Sequence, residues 1–280
     1  MQHAERFFNK DMTQRMTIRV GRGTLSFAMP DVEGHVAFQP YVVKSGVSMA
    51  ANLREAFKSQ DYLKQLPEKA RVLVDADVLM MPVALFEEEQ MDTVYGHAFP
   101  CHQQDAVFFN VLSNLNAVAI SSVNKDLRLV VNDHFDDVRL ITAISPVWNH
   151  LHQRSFTGSN QKLYGYVHEH RLEVFAFQQN RFRFCNSFDI KHTRDTCYFL
   201  LYVWNQLQLQ PQTDELHLVG DLFLNESPSN LQEREEVLKE LRRFLKKVFV
   251  INPSADFNRA QVTEIKGMPY DLQTLFVKGR

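Results

Sequence analysis

The sequence predicts an α/β protein of two lobes in which one arrangement of strands and helices occurs twice. Three observations carry this expectation. The chain has 280 residues, and at about 150 residues per domain that is material for two lobes. Strand and helix signals alternate along it, which favours sheets flanked by helices. The order strand, strand, strand, helix, strand recurs in the second half at a nearly constant offset.

In the first half, residues 17–20, 24–29 and 35–43 read as three short strands. They are parted by Gly21-Arg22-Gly23 and by Pro30-Asp31-Val32-Glu33-Gly34, both of turn composition. Pro40 lacks a ladder donor and places the third strand at an edge or a bulge. Ser48 caps a helix with Leu53, Ala56, Phe57, Leu63 and Leu66 at helical spacing, and Arg71–Asp75 reads as a buried strand. In the second half, strands are predicted at 163–168, 172–177 and 182–188, a helix at 193–209 and a strand at 215–219. The first strand moves from 17 to 163, the helix from 48 to 193 and the later strand from 71 to 215, shifts of 146, 145 and 144 residues.

The remaining segments extend the alternation. Residues 117–123 and 138–144 read as strands, and 125–135 as a helix. Pro146 opens a short helix to His152. The stretch 154–161, with Thr157, Gly158, Ser159 and Asn160, reads as the linker, giving lobes at 1–155 and 156–280. Ser229 or Asn230 opens a helix whose stripe is Val237, Leu238, Leu241, Phe244, Leu245 and Val248, followed by a strand at 249–251.

Composition narrows the function classes. A net charge of -2 argues against a broad basic field for nucleic acid. The N-terminal fifteen residues, with Phe7 and Phe8 among charged neighbours, have no apolar signal core. The apolar run Cys197–Trp204 is too short to span a bilayer. Cys101, Cys185 and Cys197 form no disulfide framework. A cytoplasmic protein without membrane insertion is expected. Ten glycines are about half the usual share and leave little material for phosphate-cradling loops.

The segments IRVGRGTLSF at 18–27, AVAISSV at 117–123, LYGYV at 163–167 and LHLVGD at 216–221, with the following helix, resemble the actin-like ATPase (ribonuclease H-like) fold. Within it, the chain is similar to a bacterial family of unknown function found mainly in Bacteroidetes. More distantly it is similar to the actin-like scaffold proteins of type IV pilus and type II secretion systems. The resemblance implies two duplicated lobes, each a mixed sheet flanked by helices. Active members carry Asp-x-Gly at the first hairpin, a second Asp-x-Gly followed by Thr at the other, and a Gly-Gly pair after a later strand. Here Arg19-Val20-Gly21 replaces the first, Tyr166–Arg171 has neither aspartate nor glycine, and the third reads Gly220-Asp221. Gly21, Gly23 and Gly220 are therefore the remnant positions of an inter-lobe cleft.

Other constellations yield to plainer readings. His168-x-His170 and His150-x-His152 read as surface histidines, with no third ligand at a diagnostic spacing. Asp133, Asp136 and Asp137 around His134 read as a solvated helix end, and Asp75 and Asp77 as loop-capping acids. Cys101-His102 is no dyad on an extended chain, where neighbours point to opposite faces. Tyr198, Phe199, Tyr202 and Trp204 read as a helix buried between layers. No GxSxG, HExxH or GxxxxGK[ST] occurs. The expectation is a non-catalytic actin-like scaffold or interaction module with a protein partner, no metal and no cofactor. The alternative is an ATP-binding protein or ATPase with atypical contacts.

Overall fold

The computed structural model describes residues 15–31, 33–64, 67–221 and 228–277, without the side chains of 228–231. Val32, Leu66 and the N-terminal segment with Phe7 and Phe8 lie outside the described residues. The first sheet contains β1 (Arg15–Val20), β2 (Leu25–Pro30), β3 (Val36–Tyr41), β4 (Lys69–Val74) and β8 (Asp137–Thr142) in the order β3-β2-β1-β4-β8. The second contains β9 (Lys162–His168), β10 (Arg171–Phe177), β11 (Phe182–Asp189), β12 (Glu215–Gly220) and β13 (Val248–Val250) in the order β11-β10-β9-β12-β13. In both, an antiparallel meander feeds a central strand that pairs in parallel with the fourth. The two sheets have one topology. Between them β1 shifts to β9 by 147 residues, β4 to β12 by 146, and α1 (Met49–Ser59) to α5 (Thr193–Gln206) by 144.

Local chemistry explains the elements. Ser48 accepts from the Ala51 amide at the start of α1. His192 and Asp195 form a capping box at the start of α5. Pro40 lies on β3, at the edge of its sheet. The outer face of the first sheet packs on α1 and α3 (Lys125–Asn132) through Ile18, Phe27, Leu53, Val72 and Val130. That of the second packs on α5 and α6 (Pro228–Phe244) through Leu163, Val174, Leu200, Leu216 and Leu241. The stripe of α6 stops short of Val248, because parallel pairing of Leu216 with Val248 draws that residue into β13. Phe244 stays half-exposed.

The inner faces are covered crosswise. Helix α4 (Ser145–Ser155) follows the first sheet, yet Trp148 and Leu151 pack with Tyr164 and Phe175 of the second. Helix α8 (Tyr270–Phe276) follows the second, yet Leu272 and Met268 pack with Ala28, Leu73 and Ala143 of the first. Residues 156–161 join α4 to β9, and α7 (Pro253–Asp256) carries Asp256, which receives His150 and Arg154 of α4.

A third, antiparallel sheet interrupts the first lobe between β4 and α3. It contains β5 (Leu79–Pro82), β7 (Ala117–Val123) and β6 (Ala106–Leu112) in that order, with α2 (Met91–Ala98) on one face through Tyr95, Val118 and Ile120. The strand at 117–123 is thus the centre of an inserted sheet. No helix among the described residues is long and apolar enough to cross a membrane.

Candidate functional site between the two hairpins

The β1–β2 and β9–β10 hairpins point at each other across the inter-sheet space. The first closes through Gly21 N to Thr24 O at 2.8 Å. The second is a two-residue turn, Glu169-His170, with both residues at positive φ (42° and 62°). That is the type I′ geometry usually met by Asn-Gly. Two side-chain-bearing residues in this region are strained, a condition that persists only where the surroundings over-determine it. The Glu169 carboxylate supplies the constraint. It accepts from the Gly23 amide at 3.0 Å, from the Thr24 hydroxyl at 2.7 Å and from Arg19 Nη1 at 2.6 Å. The donors of the first hairpin thus hold an acid of the same chain.

Arg19 is 1% exposed. Its Nε and Nη2 grip Asp271, itself 0% exposed, at 2.8–3.0 Å. Burial works against the Arg19 charge, but Asp271 above all, then Tyr166 and Glu169, hold its pKa above the usual arginine value. The same balance runs the other way for Glu169. Burial opposes its charge, while Arg19, the Gly23 amide and Thr24 keep its pKa below the glutamate range.

Beside this pair, His168 faces Asp75 at 3.3 Å and Glu173 at 3.8 Å. Arg171 bridges Glu173 at 2.7 Å and Asp77 at 2.8 Å. Arg22 pairs with Asp189 at the rim. Arg19–Glu169, Arg22–Asp189, His168–Asp75 and Arg171–Asp77 thus join the lobes around the hairpins, in addition to Arg19–Asp271 and the pairing of His150 and Arg154 with Asp256. Behind the hairpins, Arg19, Arg171 and His168 meet Asp75, Asp77, Glu169, Glu173 and Asp271, with Asp221 3.4 Å from the Glu169 amide. Acids outnumber bases there, and a phosphate would meet net repulsion.

Several expectations are corrected. His168 is not a surface histidine; it is 2% exposed and stacks on Tyr166. His152 is 4% exposed and its Nε2–H donates to the Gln179 carbonyl oxygen at 2.9 Å. Asp75 caps no loop with its side chain, which is 4% exposed against His168. Asp137 pairs with Arg15. Cys101 and His102 lie in a 3-10 turn, Pro100–His102, rather than on an extended chain, so their side chains converge. Helix α5 is buried on one side only. Leu200, Val203 and Trp204 are buried, whereas Tyr198 and Tyr202 are exposed, with rings stacked at 6.1 Å.

The remnant glycines take these places. A Cβ on Gly21 would run into the Glu169 carboxylate and the Thr24 hydroxyl, so the close approach of the acid requires glycine. Gly23 offers its amide to the same carboxylate. Gly220 has φ +115°, and a Cβ there would strike the Val167 backbone. Gly220 thus serves the β9–β12 pairing.

His168 sets a pH dependence. Burial lowers its affinity for a proton, but Asp75 and Glu173 overcome this and push its pKa up to about 10 from the usual histidine value of 6.5. A raised folded pKa gives stability that is full below pH 6.5 and lost as pH rises toward 10. The stability gap between the wild type and His168→Gln, from denaturant melts, should therefore be widest below about pH 6.5 and shrink toward pH 10. A gap independent of pH would show that the histidine is neutral.

Similarity to other proteins agrees with this architecture. The model of a family described as protein of unknown function (DUF3822) matches residues 7–248. No curated protein matches. A crystal structure from Bacteroides thetaiotaomicron, described as a protein with actin-like ATPase fold and unknown function, is similar at 25% identity and TM-score 0.79. It covers 96% of this chain and 97% of that one. The PilM–PilN type IV pilus biogenesis complex is similar at 10% identity and TM-score 0.51, covering 95% of this chain and 98% of that one. The fold is actin-like.

Proposed function

Since the chain belongs to the family of unknown function DUF3822, its own geometry has to carry the functional reading, and we propose that it is a non-catalytic, degenerate actin-like module that holds a protein partner in the cytoplasm. The observation behind this is Glu169. Its carboxylate takes up the Gly23 amide, the Thr24 hydroxyl and the Arg19 guanidinium. These are the groups a nucleotide phosphate would need, and the surrounding acid excess opposes any replacement. No nucleotide cofactor is proposed.

The exposed, stacked Tyr198 and Tyr202 on α5 support the interaction reading, because tyrosines are enriched in interfaces. PilM in its complex with PilN offers a precedent for this fold engaged with a protein. Affinity isolation of the tagged full chain from its native host tests the reading. A protein partner in fixed stoichiometry is expected, and the double change Tyr198→Glu and Tyr202→Glu should release it. Repeated isolation as a lone chain carrying nucleotide would overturn the proposal.

A further inference from the structure

The geometry points to a binding site for a zinc-like divalent cation at Asp77, Cys101 and His102, where the inserted sheet meets the second hairpin. One donor atom from each residue lies within 4.8 Å of the other two. The set of thiolate, imidazole and carboxylate suits a borderline cation rather than calcium or magnesium.

Distances around His102 make the fit specific. Nε2 lies 3.2 Å from Asp77 Oδ2, and Nδ1 lies 2.8 Å from Asp105 Oδ2. Carboxylates at both ring nitrogens require either a second ring proton or a cation between Nε2 and Oδ2. Tetrahedral zinc, with bonds of about 2.0–2.2 Å to nitrogen and oxygen, sets those two atoms roughly 3.3 Å apart. The imidazole and the carboxylate would need to move little.

Outer contacts support the same arrangement. Asp105 on Nδ1 forms the carboxylate–histidine pairing that orients metal-bound imidazoles. Arg171 holds the other Asp77 oxygen, Oδ1, at 2.8 Å, leaving Oδ2 for the ion. The Asp77 backbone carbonyl is fixed by the Tyr95 and Ser121 hydroxyls at 2.9 Å each. Next to the cluster opens a cavity of about 630 Å³ lined in part by His102, Asp105, Tyr95 and Lys125. It provides an entry path and room for a water as fourth ligand. Such an ion would tie the Pro100–His102 turn, through Asp77, to Arg171 of the other lobe.

The full chain, freed of metal with chelator, should be titrated with Co²⁺ and followed by absorbance, with Zn²⁺ affinity measured by competition against a chromophoric chelator. One ion per chain is expected, with a thiolate-to-cobalt charge-transfer band and the visible bands of a tetrahedral site. Cys101 is exposed, so Cys101→Ser should fold normally and lose the charge-transfer band. His102→Ala should lose binding, and Asp105→Asn should weaken Zn²⁺ about 10–100-fold. His35→Ala, which removes the exposed Asp31–Glu33–His35 group, should change nothing. No charge-transfer band, a band that survives Cys101→Ser, or binding lost with His35→Ala but kept with His102→Ala would each overturn the proposal.

Discussion

Replacing Asp271 by Asn should lower the melting temperature by about 6–20 °C, the largest effect expected of a single side chain in this protein. Asp271 is completely buried on α8 and is the principal partner of Arg19, which is equally buried on β1. The two residues are 252 positions apart. Asparagine keeps the volume and some hydrogen bonding but removes the charge. The guanidinium cannot discharge to escape, because arginine keeps its proton. Removing one member of a buried pair costs about 3–5 kcal/mol. Each kcal/mol moves the midpoint by about 2–4 °C in chains approaching this size. Tyr166 adds to the loss, since its hydroxyl lies 3.3 Å from Asp271 Oδ2. A change within about 1 °C, read by calorimetry, would show that the pair is not the anchor of the inter-lobe network.

Gly220→Ala should destabilise by more than about 3 kcal/mol, beyond the usual range for a surface-distant single change. Two costs combine. The φ of +115° is unfavourable for any residue with a Cβ, and the added methyl would strike the Val167 carbonyl and amide across the β9–β12 pair. The struck atoms are backbone, so relief requires the central pairing of the second sheet to open. The effect should appear as a fall in denaturant midpoint with an unchanged slope. Gly23→Ala serves as the contrast, because a Cβ there meets nothing within 4 Å; it should be nearly neutral. Equal effects at the two positions would contradict this account of the glycine.

What the sequence revealed follows from the range of each interaction. The meanders and the central parallel strands were legible because their signals are local, from apolar runs such as Leu163–Val167 and turn residues such as Gly21 and Gly23. The inserted sheet was not. Strand β5 is four residues with two methionines, and α2 has only eight residues with a single buried side chain. Strand β6, Ala-Val-Phe-Phe-Asn-Val-Leu, did carry a readable apolar run and could have been found. Helix α8 is seven residues and forms because the inner face of the first sheet lies open to it.

At the site, Arg19 was visible as an anomaly, a cation where the resemblance to the actin-like fold implies an acid. Its meaning was hidden, because its partners sit 150 and 252 residues away. His168 misled for the same reason. It is next to a turn, which suggests exposure, but Asp75 of the other lobe covers it. Cys101 and His102 read as neighbours on an extended chain, because the 3-10 turn that brings them together leaves no separate mark in the sequence.

The most direct test of the closed inter-lobe site is a thermal shift of the full chain with millimolar MgATP. A nucleotide present at about 100 times its dissociation constant would add roughly 2.7 kcal/mol to the native state, a rise of about 5 °C or more. With Glu169 seated on Gly23, Thr24 and Arg19, the expected shift is within measurement noise, with or without magnesium. A reproducible, magnesium-dependent rise of that size would contradict the account and make the protein an ATP binder with contacts of its own.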